Sequence, residues 1–79
     1  YPNPFNPTTI LPFTLPETAH VRLEVFDMLG RRVAVLVDGV KPAGAHLAIF
    51  EAAGLSTGLY LVKLDVSGRI FTKTMILAR

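Results

Sequence analysis

The chain has 79 residues, of which 51% are hydrophobic, and it carries a formal net charge of +2 at pH 7. This length fits one small domain and the apolar content argues against disorder, while so small a charge gives no indication of nucleic-acid binding. No apolar run approaches the roughly 18 residues of a transmembrane helix, and the absence of cysteine excludes disulfides and thiolate metal sites.

The first seven residues, Tyr1-Pro2-Asn3-Pro4-Phe5-Asn6-Pro7, form a proline-rich arm. Each proline fixes its own φ, lacks an N–H donor and pushes the preceding residue toward extended geometry. Because a strand pattern begins at Thr8, and because the chain starts without an initiator methionine or a signal peptide, we interpret it as the C-terminal module of a longer protein. Residues 1–7 are then a linker or edge arm, and residues 8–79 are the folded domain.

A period of two predicts strands in the first half of the chain. The first is Thr8–Leu15. The second, His20–Asp27, is expected to turn Val21, Leu23 and Val25 to one face and Arg22, Glu24 and Phe26 to the other. A turn at Asp27–Gly30 and a third strand, Arg32–Val37, predict a hairpin. Asp38-Gly39 and the segment Lys41–Gly44 then predict a loop.

Three more strands are predicted in the second half. They are His46–Glu51, with His46, Ala48 and Phe50 on one face, then Leu59–Val66, and finally Ile70–Ala78 after a two-residue turn at Ser67-Gly68. In the fifth strand Tyr60, Val62, Leu64 and Val66 are expected to point inward, and Lys63 and Asp65 outward. The Tyr60 hydroxyl is expected to reach a loop carbonyl. Gly30, Gly58 and Gly68 are assigned structural roles at turns, with positive φ.

Six strands with turn signals every 8–12 residues or so predict an all-β fold, a small immunoglobulin-like β-sandwich of six or seven antiparallel strands. A seventh strand would come from an edge strand or bulge near Phe5 or Val40. A barrel is the alternative, although the proline arm fits an open sheet edge better.

The sequence offers no catalytic, cofactor-binding or metal-binding residues, so we expect a protein that is not an enzyme and has no cofactor. His20 and His46 could be neighbours, but two histidines without a third ligand make a weak metal site. Ser56 and Ser67 lie in turns outside any nucleophile motif. Phe26 and Phe71, on faces shared with charged residues, are candidates for a modest ligand or partner patch.

Six motifs in order resemble the type IX secretion system (Por) C-terminal sorting domain over essentially the whole chain. The opening Tyr1–Thr9, with Pro4 and Phe5, resembles the family's first motif, and Leu15-Pro16-Glu17 follows it. Asp27–Val33, with Gly30, resembles "D-x-x-G-R-x-V", and Pro42-Ala43-Gly44 with His46 resembles the next loop. Gly58–Leu64, with Tyr60 and Lys63, resembles "G-x-Y-x-x-(K/R)-(L/V)", and Thr72–Arg79 resembles the last strand. Phe50-Glu51-Ala52 departs from the common W-D-G, and Thr74 stands where members commonly carry lysine.

The resemblance implies an immunoglobulin-like sandwich that serves as an address. Such domains stand at the C-terminus of a cargo protein, frequently a hydrolase, that crosses the inner membrane by means of a Sec signal. They direct the cargo from the periplasm through the outer-membrane type IX translocon to the surface or the medium. A surface sortase typically removes them or exchanges them for a lipopolysaccharide anchor.

The last strand is the expected recognition surface, through Lys73, Met75, Ile76, Leu77 and Arg79. A partner would add a strand to it or contact its terminal basic group, while Met75, Ile76 and Leu77 could equally complete the core. Two other functions stay open: a spacer or carbohydrate-binding accessory module of an extracellular enzyme, and a structural immunoglobulin-like module such as that of flagellar hook-cap proteins.

Overall fold

Six antiparallel strands in two sheets make up the domain in the computed structural model, which describes residues 8–78. They are β1 (Thr8–Leu15), β2 (Ala19–Asp27), β3 (Arg32–Lys41), β4 (Gly44–Glu51), β5 (Gly58–Val66) and β6 (Arg69–Leu77). One sheet has the order β1-β4 and the other β3-β2-β5-β6. The predicted all-β sandwich is confirmed, and its two separate sheets exclude the barrel. Phe5 lies outside the described residues.

The core lies between the sheets and comes mainly from alternate residues of β2, β4 and β5, as the period of two predicts. Val21, Leu23 and Val25 of β2 are buried, as are Ala48 and Phe50 of β4. Tyr60 and Val62 of β5, Leu77 of β6 and Ala52 after β4 form one buried cluster with Leu23, Val25, Ala48 and Phe50. Leu64 and Val66 are only half-buried, so the core thins toward the β5–β6 turn.

The β5–β6 connection is a two-residue hairpin turn, as predicted. Ser67 has a φ of +49° and Gly68 a φ of +91°, and two successive positive φ angles characterise the type I′ turn that matches the twist of paired strands. Gly30, with a φ of +82°, closes the β2–β3 turn in the same region of conformational space.

The third strand is longer than predicted. Asp38-Gly39 was expected in a loop but lies inside β3, with Asp38 opposite Arg22 and Gly39 opposite Val21. Register shifts between Leu23 and Glu24 and between Val25 and Phe26 put extra residues into β3, so β3 must run on to Lys41 to pair with the whole of β2. Val40 belongs to this strand and not to a seventh one. The β3–β4 loop is reduced to residues 42–43.

The Tyr60 hydroxyl donates a 2.6 Å hydrogen bond to the carbonyl oxygen of Ser56, which confirms the expected loop contact. We expect Tyr60→Phe to lower the free energy of unfolding by about 1 kcal/mol, since the buried ring stays and one hydrogen bond is lost. Urea unfolding of the two proteins measures the difference. An unchanged midpoint would mean that this bond does not hold the β4–β5 loop.

Candidate functional site

The last strand, β6, is one edge of the four-stranded sheet and pairs with β5 alone among the described residues. The candidate recognition residues divide there into two groups. Lys73 and Ile76 are exposed, Ile76 to 74%. Met75 is half-buried and Leu77 is only 2% exposed in the core. Arg79 lies outside the described residues. The strand therefore offers a readable surface and also completes the core.

The register places alternate residues of β6 on the inner face of the sheet. Phe71 lies opposite Leu64, Lys73 opposite Val62 and Met75 opposite Tyr60, and directly opposed residues share a face. Lys73 and Phe71 are nevertheless exposed, Phe71 to 49%. Among residues 8–78 the covering sheet has two strands, and these two strands leave this part of the inner face uncovered.

An apolar cleft runs between β1 and β6 along this open side. Two adjoining cavities of about 200 and 390 Å³ share Pro12, Phe13, Leu64 and Phe71 as lining residues. Lys73 lines one and Arg69 the other, and among residues 8–78 neither lining includes a carboxylate side chain. The Arg69 guanidinium carbon lies 5.6 Å from the centre of the Phe71 ring, within the range of a cation–π contact.

The four strand edges in the described part of the chain differ in regularity. Pro12 leaves β1 without one N–H donor, and β3 carries the two register shifts and Gly39. The edges of β3 and β4 contact each other on the side of the sandwich away from β6. β6 pairs with β5 without a shift from Arg69 to Leu77 and contains neither proline nor glycine. It is the edge best suited to accept a further strand.

Glu24 is nearly buried on the face of β2 opposite Val21, Leu23 and Val25. Its side chain is only 6% exposed, and the Arg32 Nη1 donates a 3.1 Å hydrogen bond to its Oε2. Glu24 lies in the middle of the sheet, opposite Val35 of β3 and Lys63 of β5, so its neighbours exclude water. Arg32 therefore supplies the charge partner of a nearly buried carboxylate.

Phe26 and Lys63 share the same outer face. The Lys63 Nζ lies 5.9 Å from the centre of the Phe26 ring, and both residues are half-buried. Lys63 points outward, as predicted, but rests on a ring instead of extending into solvent. Of the two aromatic candidates for a partner patch, Phe71 is therefore the more accessible.

The "D-x-x-G-R" segment forms a self-contained turn. The Asp27 Oδ1 accepts hydrogen bonds from the backbone N–H groups of Leu29 and Arg31, at 2.9 and 3.0 Å, and the Arg31 Nε donates to Oδ2 at 2.8 Å. The backbone N–H of Arg31 is the largest cause holding the pKa of Asp27 below its ordinary 3.8, opposed by partial desolvation and aided by the other two bonds. This motif builds the turn and leaves Arg31 paired.

Asp27→Asn is expected to reduce thermal stability at neutral pH and to have less effect in acid. A carboxylate with a lowered folded-state pKa contributes stability above its unfolded-state pKa, and that contribution disappears as pH falls through the folded-state value. The difference in Tm between the two proteins should therefore shrink as pH is lowered from about 5 to about 2. A constant difference across this range would show that the charge of Asp27 is irrelevant.

The two histidines lie in different sheets and have separate partners. The His20 Nε2 is 3.6 Å from an oxygen of Asp38, whereas the His46 Nε2 is 2.7 Å from the carbonyl oxygen of Pro42 and its ring stacks on Phe13. In residues 8–78, no group of three or more histidine, aspartate or glutamate side chains is placed to hold a metal ion. Within the same range, no helix is long and apolar enough to cross a membrane.

Comparison with known proteins identifies a family that the chain matches. The family model described as "Secretion system C-terminal sorting domain" matches residues 1–78, essentially the whole chain. No curated protein and no solved structure matches the chain. The family match spans all six strands, including the full length of β6.

Proposed function

The chain belongs to the secretion system C-terminal sorting domain family, the sorting signal of type IX secretion, and from this premise we propose that it directs an exported cargo through the outer-membrane type IX translocon. The family is a non-catalytic one, and we assign this chain no enzymatic activity. Its cargo, for which a hydrolase is a suitable candidate, enters the periplasm first and ends in the medium or on the cell surface. A surface sortase then cleaves the domain or exchanges it for an anchor.

The surface that the translocon contacts is, in our proposal, the exposed part of β6. Lys73 and Ile76 present a charge and a large apolar side chain on a regular strand edge, and Arg79 extends the basic character beyond the described residues. Met75 and Leu77 anchor the strand to the sandwich. Gly30, Gly58, Tyr60 and Lys63 are assigned to the scaffold in this proposal, and Pro4 and Phe5 lie outside the described residues. The single observation that carries the function is the family match over residues 1–78.

An export assay in a host with a working type IX system tests the function. A signal peptide and a fluorescent reporter are joined to residues 1–79, and reporter is measured in medium, on the surface and in the periplasm. We expect reporter outside the outer membrane, and its loss when the translocon gene is deleted. Folded reporter retained in the periplasm of the intact host would contradict the proposal and favour an accessory or structural module.

Neighbouring residues of β6 separate recognition from folding. Ile76→Ala removes an exposed side chain and should leave stability nearly unchanged, whereas Leu77→Ala removes a buried one and should cost about 2–5 kcal/mol. If the translocon contacts this surface, Ile76→Ala lowers export although the domain stays folded. Normal export of Ile76→Ala and of Lys73→Ala would remove these side chains from the recognition surface.

A further inference from the structure

We propose that the edge of β6 accepts an added strand from a partner polypeptide whose inward side chains alternate between acidic and apolar. The inference rests on the proposed function only in assuming that β6 is contacted during export. In this proposal the backbone of the added strand pairs with the backbone of β6, and the inner side chains of the added strand lie over the cleft between β1 and β6. The occupant is an extended segment that places carboxylates beside Arg69 and Lys73 and apolar groups beside Phe71 and Met75.

The hydrogen-bonding groups needed for this pairing are present on β6. Val66 and Arg69 flank the two-residue turn and face each other across it. In a turn of this kind the N–H of Arg69 donates a hydrogen bond to the carbonyl oxygen of Val66, so the two residues form a hydrogen-bonded pair. Alternation along an antiparallel ladder then directs the backbone groups of Ile70, Thr72, Thr74 and Ile76 to the free edge. None of these residues is a proline, so this edge presents an uninterrupted row of donors and acceptors.

The charge of the cleft selects the chemistry of the occupant. Arg69 and Lys73 are exposed on the inner face, and neither has a carboxylate partner among residues 8–78. By contrast, Arg22, Arg31 and Arg32 are each paired with an aspartate or a glutamate. Opposite charges facing each other across paired strands stabilise the pairing, and like charges oppose it. An added strand with carboxylates at these two positions is therefore preferred over a neutral or basic one.

Phe71 supplies the apolar part of the interaction. Its ring is half-exposed at the point where the two cavities of the cleft meet, and an inward apolar side chain of the added strand would cover it. An anionic amphiphile could fill the same cleft, but it would leave the free backbone groups of β6 unpaired. The strand edge and the cleft together favour a polypeptide.

A synthetic eight-residue peptide tests the inference on the purified 79-residue chain. The probe is written to run antiparallel to Arg69–Ile76, with glutamate opposite Arg69 and Lys73, valine opposite Phe71 and Met75, and threonine at the intervening positions. One control probe carries lysine in place of both glutamates. A second is N-methylated at the amides that would face β6. We expect saturable binding of the glutamate probe, seen by NMR, and at least tenfold weaker binding of either control.

The position of the bound probe is measured by amide exchange with solvent. At a free probe concentration of about ten times Kd, only about one chain in eleven is unoccupied. The outward amides of Ile70, Thr72, Thr74 and Ile76 should then exchange about tenfold more slowly, while the amides in the β2–β3 turn should not change.

Matched substitutions at one residue separate backbone pairing from side-chain contact. Thr72→Pro removes an N–H that points away from β5 and keeps the N–H groups that bond to β5. The domain should therefore fold but no longer bind the probe. Thr72→Val keeps the N–H and should bind the probe as the original chain does. Because a proline could still unfold the strand, the double variant Arg69→Glu and Lys73→Glu gives a second test: it should reverse the preference and bind the lysine probe at least tenfold better than the glutamate probe.

Several results would overturn the inference. These are failure of the glutamate probe to bind, equal binding of the lysine probe, or cleft binding of dodecanoate without protection of the edge amides. Binding only after residues 1–7 are removed would assign the cleft to the chain's own arm and also overturn it. Export distinguishes the two proposals: reporter that is exported without any probe binding leaves the sorting function standing, and retained reporter refutes that function whatever the probe does.

Discussion

Replacing Phe50 with alanine is expected to lower the free energy of unfolding by about 3–5 kcal/mol, the range for a buried phenylalanine truncated in a core. Phe50 is 1% exposed and belongs to the buried cluster between the two sheets. Domains have about 0.05–0.15 kcal/mol of stability per residue, so 79 residues correspond to about 4–12 kcal/mol. One substitution therefore removes a quarter or more of the total.

Phe71→Ala is the matched control for this prediction, because the chemical change is the same and the ring is 49% exposed. It should cost less than Phe50→Ala, since about half of the Phe71 surface stays in contact with water after folding. Urea unfolding gives both differences on one scale, and the dispersion of amide NMR signals reports whether each variant is folded. Equal destabilisation by the two substitutions would mean that the core is not centred on Phe50.

The covering sheet explains why a truncation in this core has so large an effect. Within residues 8–78, β1 and β4 lie over four strands, and Phe50 and Ala48 of β4 belong to the buried cluster between the sheets. Toward β6 the cover ends and Phe71 and Lys73 emerge into solvent. Because the two-stranded sheet does not cover the whole of β6, it also leaves the cleft between β1 and β6 that we assign to a partner strand.

Local alternation was sufficient to predict the number of strands and most of the core. Val21, Leu23 and Val25 lie on the buried face, as do Ala48 and Phe50, since a period of two assigns faces without knowledge of the partner strands. The two-residue turn at Ser67-Gly68 was also accessible, because glycine after a small polar residue is a local turn signal. The last strand was the candidate for recognition because it ends the strand pattern. The structure adds that this strand, β6, is an edge of its sheet.

Features that depend on pairing between distant strands could not be predicted. Asp38-Gly39 has the composition of a turn, yet the register shifts in β3 draw it into the sheet opposite β2. The alternation places Glu24 on the face opposite the core residues, but its burial there depends on Arg32, eight residues later, and on the neighbouring strands. Lys73 was expected on an exposed face, and its location on the uncovered inner face depends on the two-stranded sheet opposite.

Arg32→Ala is the second substitution with a large expected effect. Removal of one partner from a buried ion pair leaves the other charge unpaired and costs about 3–5 kcal/mol. The Glu24 side chain is 6% exposed and its charge partner at 3.1 Å is Arg32. The Arg32 side chain itself is half-exposed, and Lys63 is the cross-strand neighbour of Glu24, so we expect a loss near 3 kcal/mol, at the lower end of that range.

Two comparisons decide whether this loss comes from the stranded carboxylate. Arg31 is adjacent in sequence but 72% exposed in its ion pair with Asp27, and Arg31→Ala should cost about 1 kcal/mol or less, as exposed pairs do. Glu24→Gln removes the charge while keeping an acceptor, so the double variant Glu24→Gln with Arg32→Ala should be more stable than Arg32→Ala alone. Urea unfolding of the original chain, Glu24→Gln, Arg32→Ala and the double variant gives the coupling free energy between Glu24 and Arg32. If the double variant is no more stable than Arg32→Ala alone, the buried charge does not cause the loss, and Arg32 acts through the packing of its aliphatic stem on the sheet.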